Sequence, residues 1–312
     1  MSESWKVCHK RLVSKVCIAA ATLLALSGCG GSFKGTFEFD GEEFNFSFDF
    51  PDIASDRHTD NVPFAGLTTL RVTSKNGPVR VTVDSAEADA VVRSFRFANG
   101  KSTDEANKLL EQVIVNVATT GANNEILEVT VSLPTQDPDG NELNPGRTGV
   151  SLHIRLPAGL ALDLNLDSAP LTVSNNTGAV RVRSINAGIH ILDSDGDQDL
   201  ETDNGSIEAT EIHGNVLARA QNGRLTVRAT PASDGSLDAE TKNGSVIIRV
   251  PTSIAASLDM ETTNGSVETD FAGFANVNNL SSTGKKLTAT INGGGATVRG
   301  KTTNGNVSFE AM

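Results

Sequence analysis

Between Leu200 and Met312 apolar and polar residues alternate, and Asn-Gly interrupts the alternation again and again. The phrase reads Leu200-Glu-Thr-Asp-Asn204-Gly205-Ser-Ile. It returns around Asn222-Gly223, Asn243-Gly244, Asn264-Gly265 and Asn304-Gly305, with the asparagines 18, 21, 21 and 40 residues apart. A period of two on both sides of a turn pair predicts strand, turn, strand. In the third phrase Leu237, Ala239 and Thr241 share one face and Asp238, Glu240 and Lys242 the other; after the turn Val246, Ile248 and Val250 rejoin the first. Asn-Gly supplies the positive φ values that a tight reversal needs.

Two architectures fit this pattern. Asn-Gly between alternating strands is a hairpin signal, but self-similarity at about 20 residues is also the mark of a solenoid whose units stack strand on strand. The stack is favoured because the inward residues repeat in kind. A bulky aliphatic (Leu200, Val216, Leu237, Leu258, Val298) opens each first strand, and small residues follow, with Met260 the exception. The expected fold is all-β, a parallel β-solenoid with one short inserted helix. The interval of 40 reads as two coils, the fainter one marked by Leu280 and Thr283-Gly284. Periodicity is poorest at Ala187–Asp199 and Ala272–Gly295.

Upstream, Leu67–Asp84 gives two strands around Asn76-Gly77, an early copy of the phrase. Val91–Phe97, Val113–Ala118, Ile126–Leu133 and Gly149–Leu156 read as further strands, with a turn-rich excursion from Pro134 to Thr148. Ser102–Val113 reads as the helix: Ser102 and Glu105 have capping-box spacing, and Ala106, Leu109, Leu110 and Val113 form one apolar face. Phe37, Phe39, Phe44, Phe46, Phe48 and Phe50 alternate with polar residues around Asp40-Gly41, a hairpin with one aromatic face that serves as a cap or as a contact surface.

The first 28 residues carry Lys6, Lys10, Arg11 and Lys15, then a short apolar run from Val16 to Leu26, the pattern of a removable signal. Leu26-Ser27-Gly28-Cys29 resembles the lipobox of bacterial lipoproteins. That resemblance implies a mature chain beginning at Cys29 and anchored there by lipid, and Gly30 in the next place implies the outer membrane. The domains expected are 1–28 signal peptide, 29–66 anchored segment with the aromatic hairpin, and 67–312 the repeat domain. Without the leader, 22 basic and 37 acidic residues remain, a net of −15, which speaks against nucleic acid and anionic lipid headgroups as partners and would tolerate cations. Cys8 and Cys17 fall in the leader, so no disulfide is expected.

The Thr/Ser-x-Asn-Gly-Ser-Val phrases at Thr241–Val246 and Thr262–Val267, with Ser74–Val79 and Leu156-Pro-Ala-Gly-Leu160, resemble the bacterial "putative adhesin" families of tandem β-strand repeats, related to autotransporter adhesin heads. The resemblance covers about Leu67–Met312 and implies a β-solenoid without established catalytic residues.

Candidate chemistry is sparse. Asp193, Asp195, Asp197 and Asp199 stand at alternate positions, and calcium takes six to eight oxygens from such runs. However, the glycine and the twelfth residue do not match an EF-hand loop, and the alternative is an acidic corner. Stacking would place Glu201, Asp238 and Asp259 in one outward column, and Asp203, Glu240 and Glu261 in another broken by Arg219. His58, His153, His190 and His213 lack metal-ligand spacing, and no Gly-x-Ser-x-Gly, phosphate loop or zinc motif occurs. The reading is a non-catalytic envelope lipoprotein for adhesion or for interaction with a protein or envelope polymer, with end-to-end self-association as a further partner mode. The alternatives are a polysaccharide-processing β-helix enzyme and a calcium-dependent binding module, calcium being the one candidate cofactor.

Overall fold

A computed structural model of the chain describes residues 32–39, 42–49 and 52–312, and side chains from Asp52 on. The leader and Cys29 lie outside the described residues. β1 (Ser32–Phe39) and β2 (Glu42–Asp49) form the expected antiparallel hairpin, and its register sets Phe33 across from Phe48 and Phe37 across from Phe44. β3 (Asp52–Pro63), β4 (Thr69–Asn76), β5 (Val79–Val83) and β6 (Asp89–Gly100) follow. Then come α1 (Thr103–Gln112), β7 (Ile114–Thr120), β8 (Ile126–Ser132) and β9 (Thr148–Leu156).

From there the chain runs in coils: β10 (Ala161–Ser168) and β11 (Leu171–Asn176), β12 (Val180–Ser184) and β13 (Ile189–Ser194), β14 (Gln198–Asn204) and β15 (Ile207–Ile212). They continue as β16 (Val216–Asn222) and β17 (Leu225–Ala229), then β18 (Ser236–Asn243) and β19 (Val246–Val250). The end comprises β20 (Ala256–Asn264), β21 (Val267–Thr269), β22 (Val277–Ser282), β23 (Lys286–Ile291), β24 (Ala296–Asn304) and β25 (Val307–Ala311).

The first strands of the coils form a 12-stranded sheet and the second strands an 11-stranded sheet. Pairing is parallel between coils, and the Asn-Gly turns carry the chain from one sheet to the other, so the stack prevails over the hairpin. The sheets are open and mostly parallel, with antiparallel strands only at the ends. The core is the narrow space between them, filled by ladders of like residues. One ladder runs Leu70, Leu162, Val180, Gln198, Val216, Leu237, Val298 and Leu258.

Gln198 in that ladder corrects one reading. Leu200 does not open its strand; it pairs with Ala218, and Gln198 pairs with Val216. A buried polar side chain in an apolar column disguised the register, and it is held by bonds from its Nε2 to Ser194 Oγ, at 2.8 Å, and to the Gly196 carbonyl. Residues 187–199 are accordingly a regular coil.

The order of coils in space departs from the order in sequence at both ends. First strands lie in the order β8, β4, β10, β12, β14, β16, β18, β24, β20. The first coil of the chain is second in the stack, and the last coil is inserted between the two before it. No intermediate coil exists between β20 and β24. Residues 277–291 form an antiparallel hairpin on β20, and Leu280 is exposed.

α1 is capped as expected, Glu105 N–H donating to Ser102 Oγ at 3.2 Å. The helix lies on β6 and β3 with Ala106 and Leu109 buried, and Leu109 packs on Ala98 and Leu143. β3 is the edge strand of the 11-stranded sheet, so that sheet takes in residues ahead of Leu67.

Candidate functional site

The Asn-Gly turns stack into a spine along one side of the molecule. Asn204 Nδ2 donates to Asn186 Oδ1 at 3.1 Å, and Asn222 to Asn204, Asn243 to Asn222, Asn304 to Asn243 and Asn264 to Asn304 at 2.7–2.8 Å. Asn186 is followed by Ala187, which hid this rung from the sequence. Asn76, in the early copy, instead donates to the Thr148 carbonyl at 3.0 Å. Behind the asparagines, Thr202, Thr241, Thr302 and Thr262 donate their hydroxyls to carbonyls of neighbouring turns. The small inward residue is therefore often threonine for its hydroxyl as well as its size.

The glycines of these turns are required for a reason other than the one expected. None of the five asparagines has positive φ, nor do Gly205, Gly223 or Gly265, while Gly244 and Gly305 sit at 155° and 153°. What excludes a side chain is close approach: a Cβ on Gly223 would lie 1.8 Å from the Gly205 carbonyl oxygen, and one on Gly205 2.1 Å from that of Ala187. Coils spaced as neighbouring strands, about 4.8 Å apart, leave no room there. Gly77, at φ 97°, is the one of these turn glycines that is well inside the left-handed region.

The four aspartates of the acidic run are not brought together. Asp193 sits at a left-handed bend, φ 54°, that recurs at Asn175 and Glu211 in the adjacent coils. Asp195 faces His213 Nδ1 at 3.1 Å. Asp197 Oδ1 accepts from the backbone and side chain of Asn215. Asp199 takes Arg183 in a two-pronged pair at 3.1 and 2.8 Å, which raises the guanidinium's pKa. Among the described residues no group of three or more His, Cys, Asp or Glu is placed to hold a metal ion.

The outward columns are not like-charged either. On the 12-stranded sheet one column runs Glu128, Arg71, Asp163, Arg181, Asp199, Leu217, Asp238, Arg299, Asp259. The next runs Arg183, Glu201, Arg219, Glu240, Lys301, Glu261, Lys286. Acid alternates with base, and Glu201 belongs with Glu240, not with Asp238. Arg71 bonds Asp163 at 3.2 Å and Arg183 reaches Glu201 at 2.9 Å.

Along the first of these columns lies a shallow furrow of about 780 Å³ crossing β10, β12, β14, β16, β18 and β24, roughly 24 Å at the usual strand spacing. Small residues such as Ala161, Ala179 and Ser236 line one bank, and the charged column lines the other. Leu217 breaks the alternation midway and is half-buried. Sequence reasoning missed this furrow because the misplaced Leu200 register separated its residues.

Residues 171–310 match the family model described as Toastrack DUF4097, a stretch that begins with β11 and takes in the whole Asn spine. No curated protein matches the chain. Among solved structures the chain is similar to a "putative cell adhesion protein" from Clostridium sporogenes, with 11% identity over 83% of this chain and 100% of that one and a TM-score of 0.32. It is also similar to a "putative adhesin" from Bacteroides fragilis, with 11% identity over 82% and 97% and a TM-score of 0.37. A third is a "putative adhesin" from Parabacteroides merdae, with 10% identity over 82% and 95% and a TM-score of 0.32.

Proposed function

We propose that the chain is a lipid-anchored protein of the bacterial cell envelope, held at Cys29 in the outer membrane, whose stack is a non-catalytic scaffold for adhesion. The furrow is its binding surface, taking an extended segment of an envelope polymer or surface protein. The observation that carries this reading is the long, shallow shape of the furrow with Leu217 set among alternating charges. An apolar residue flanked by ordered ion pairs suits an extended chain better than a compact ligand. Its carboxylates favour binding over catalysis, since Asp163, Asp199 and Asp238 each stand opposite a guanidinium.

The test is retention of cells displaying the chain on immobilised envelope material. Leu217→Arg and Arg181→Glu should each lower retention at least tenfold with unchanged circular dichroism; undiminished retention in both variants would remove the furrow from adhesion. Cys29→Ser should abolish palmitate incorporation and let a high-salt wash move the chain from the membrane fraction to the soluble one. For the calcium-binding alternative, the separate engagement of Asp195, Asp197 and Asp199 predicts the same unfolding midpoint in calcium and in chelator. For self-association, β21 is only three residues long and β22 carries a register shift. Those edges are blunted against pairing, but the opposite end leaves the 12-residue β3 as an edge, so a sedimentation coefficient that rises with concentration should stop rising in a variant with a proline introduced into β3.

A further inference from the structure

On the outer face of the 11-stranded sheet basic residues meet in two places: Arg228 stands opposite Arg249, which Glu310 neutralises, and a larger group lies at the other end. Across β6, β9 and β5, Arg93, His153 and Arg80 stand directly opposite one another in successive strands. Arg80 and Arg93 are exposed, and among the described residues neither has a carboxylate within 4.0 Å. Arg57, on β3 of the same face, lies over the Phe95 ring at 5.5 Å and likewise has no acidic partner among the described residues. Arg155 beside them is the exception, paired with Asp84 at 3.1 Å and with Glu87. Burial first, then Arg80, Arg93 and Arg155, hold the His153 imidazole below its usual pKa.

Arg80 and Arg93, two strands apart with no carboxylate between them, repel one another. A chain with 38 acidic and 26 basic residues does not lack carboxylates to set between them, as it does on the other sheet. With a screening length of about 8–10 Å, the patch acts on whatever touches this face, whatever the net charge of the molecule. β3, its edge, is also the first strand of either stacked sheet after Cys29, which lies 23 residues before Asp52 with the β1–β2 hairpin between them, a separation of at most about 80 Å.

We infer that Arg57, Arg80 and Arg93 form a docking face for the anionic phosphate headgroups of a membrane. The choice of occupant rests on the lipid-anchor reading; the cationic face itself does not. With the anchor in the bilayer, this face turns the end of the stack down onto the headgroups and directs the furrow-bearing sheet away.

The experiment uses the full chain with Cys29→Ser, which removes the acylated sulfur, and follows its co-sedimentation with phosphatidylglycerol and with phosphatidylcholine vesicles. Binding is expected to the first only and to weaken with salt. An arginine near an anionic surface contributes about fivefold in affinity, so Arg80→Gln with Arg93→Gln should lower it about 25-fold. Arg224→Gln with Lys242→Gln, of equal charge change elsewhere, should leave it unchanged. Equal loss in both double variants, or equal binding to the two vesicles, would overturn the proposal. So would a shift of the His153 imidazole resonance with inorganic phosphate in a chain without vesicle preference, which would reassign the patch to soluble phosphate. Palmitate labelling of the unaltered chain tests the anchor separately, so either reading can fail alone.

Discussion

Asp238 and Asp259 hold the same place in consecutive repeats of the sequence, yet in the sheet they are two strands apart and Arg299 stands between them. Lys301 does the same for Glu240 and Glu261. At the other end Arg71 separates Glu128 from Asp163, because the first coil of the chain lies between the second and third. Coils stacked in sequence order would set acid against acid at each of these places. The two insertions convert repulsive columns into alternating ones.

Reversing that arrangement should be measurable. Arg299→Glu with Lys301→Glu would line up three acids in each column. At roughly 0.2–1 kcal/mol per exposed pair lost or opposed, the cost is about 1–3 kcal/mol in chemical denaturation, and it should shrink in high salt. A salt-independent cost would show that packing, not charge, places the last coil.

The asparagine spine predicts a gradient. Asn243→Ala removes two rungs of side-chain hydrogen bonding and Asn264→Ala, at the end, removes one. At about 0.5–1.5 kcal/mol per bond, the central change should cost roughly twice the terminal one, read as a shift in denaturant midpoint. Equal costs would mean that the rungs do not act individually.

Glycine substitutions separate close approach from backbone freedom. Gly205→Ala drives a methyl into the Ala187 carbonyl, whereas Gly188, one coil earlier, meets nothing nearer than 3.7 Å. The first should cost about 3 kcal/mol, the upper end for overpacking, and the second less than about 0.5 kcal/mol. Thermal unfolding followed by circular dichroism gives both, since the only Trp is Trp5 and there is no Tyr.

Acid should loosen the N-terminal end of the stack. The Asp56 carboxyl is held below its usual value chiefly by its hydrogen bond to Arg96, which ties β3 to β6. A lowered folded pKa means that the contribution is complete above the unfolded value of 3.8 and is lost as pH falls below it through the folded value. Hydrogen exchange of β3 amides should therefore rise below that pH in the unaltered chain. In Asp56→Asn it should be fast throughout and lack the step.

The strands, the helix with its cap and the inward ladder were legible because each rests on local alternation or spacing. The order of coils was not. Arg299 and Lys301 give no local sign that their strand pairs with β18, since a repeat unit matches every other unit equally well. The register failed at a single polar residue, Gln198, and with it went the columns and the furrow that depends on them. Asn186 escaped notice because Ala187 replaces the glycine, although its side chain makes the same bond as the others.

The last coil has a consequence for timing. β18 and β20 leave the ribosome before β24 exists, and both must keep a place open for a strand made later. The final arrangement of this end cannot be reached until residue 311 is free to pair with Val250. A growing chain remains unfinished there until β24 and β25 have been made. Under the envelope location proposed above, where the chain is threaded across a membrane before it folds, that delay would keep the end of the stack from closing too soon.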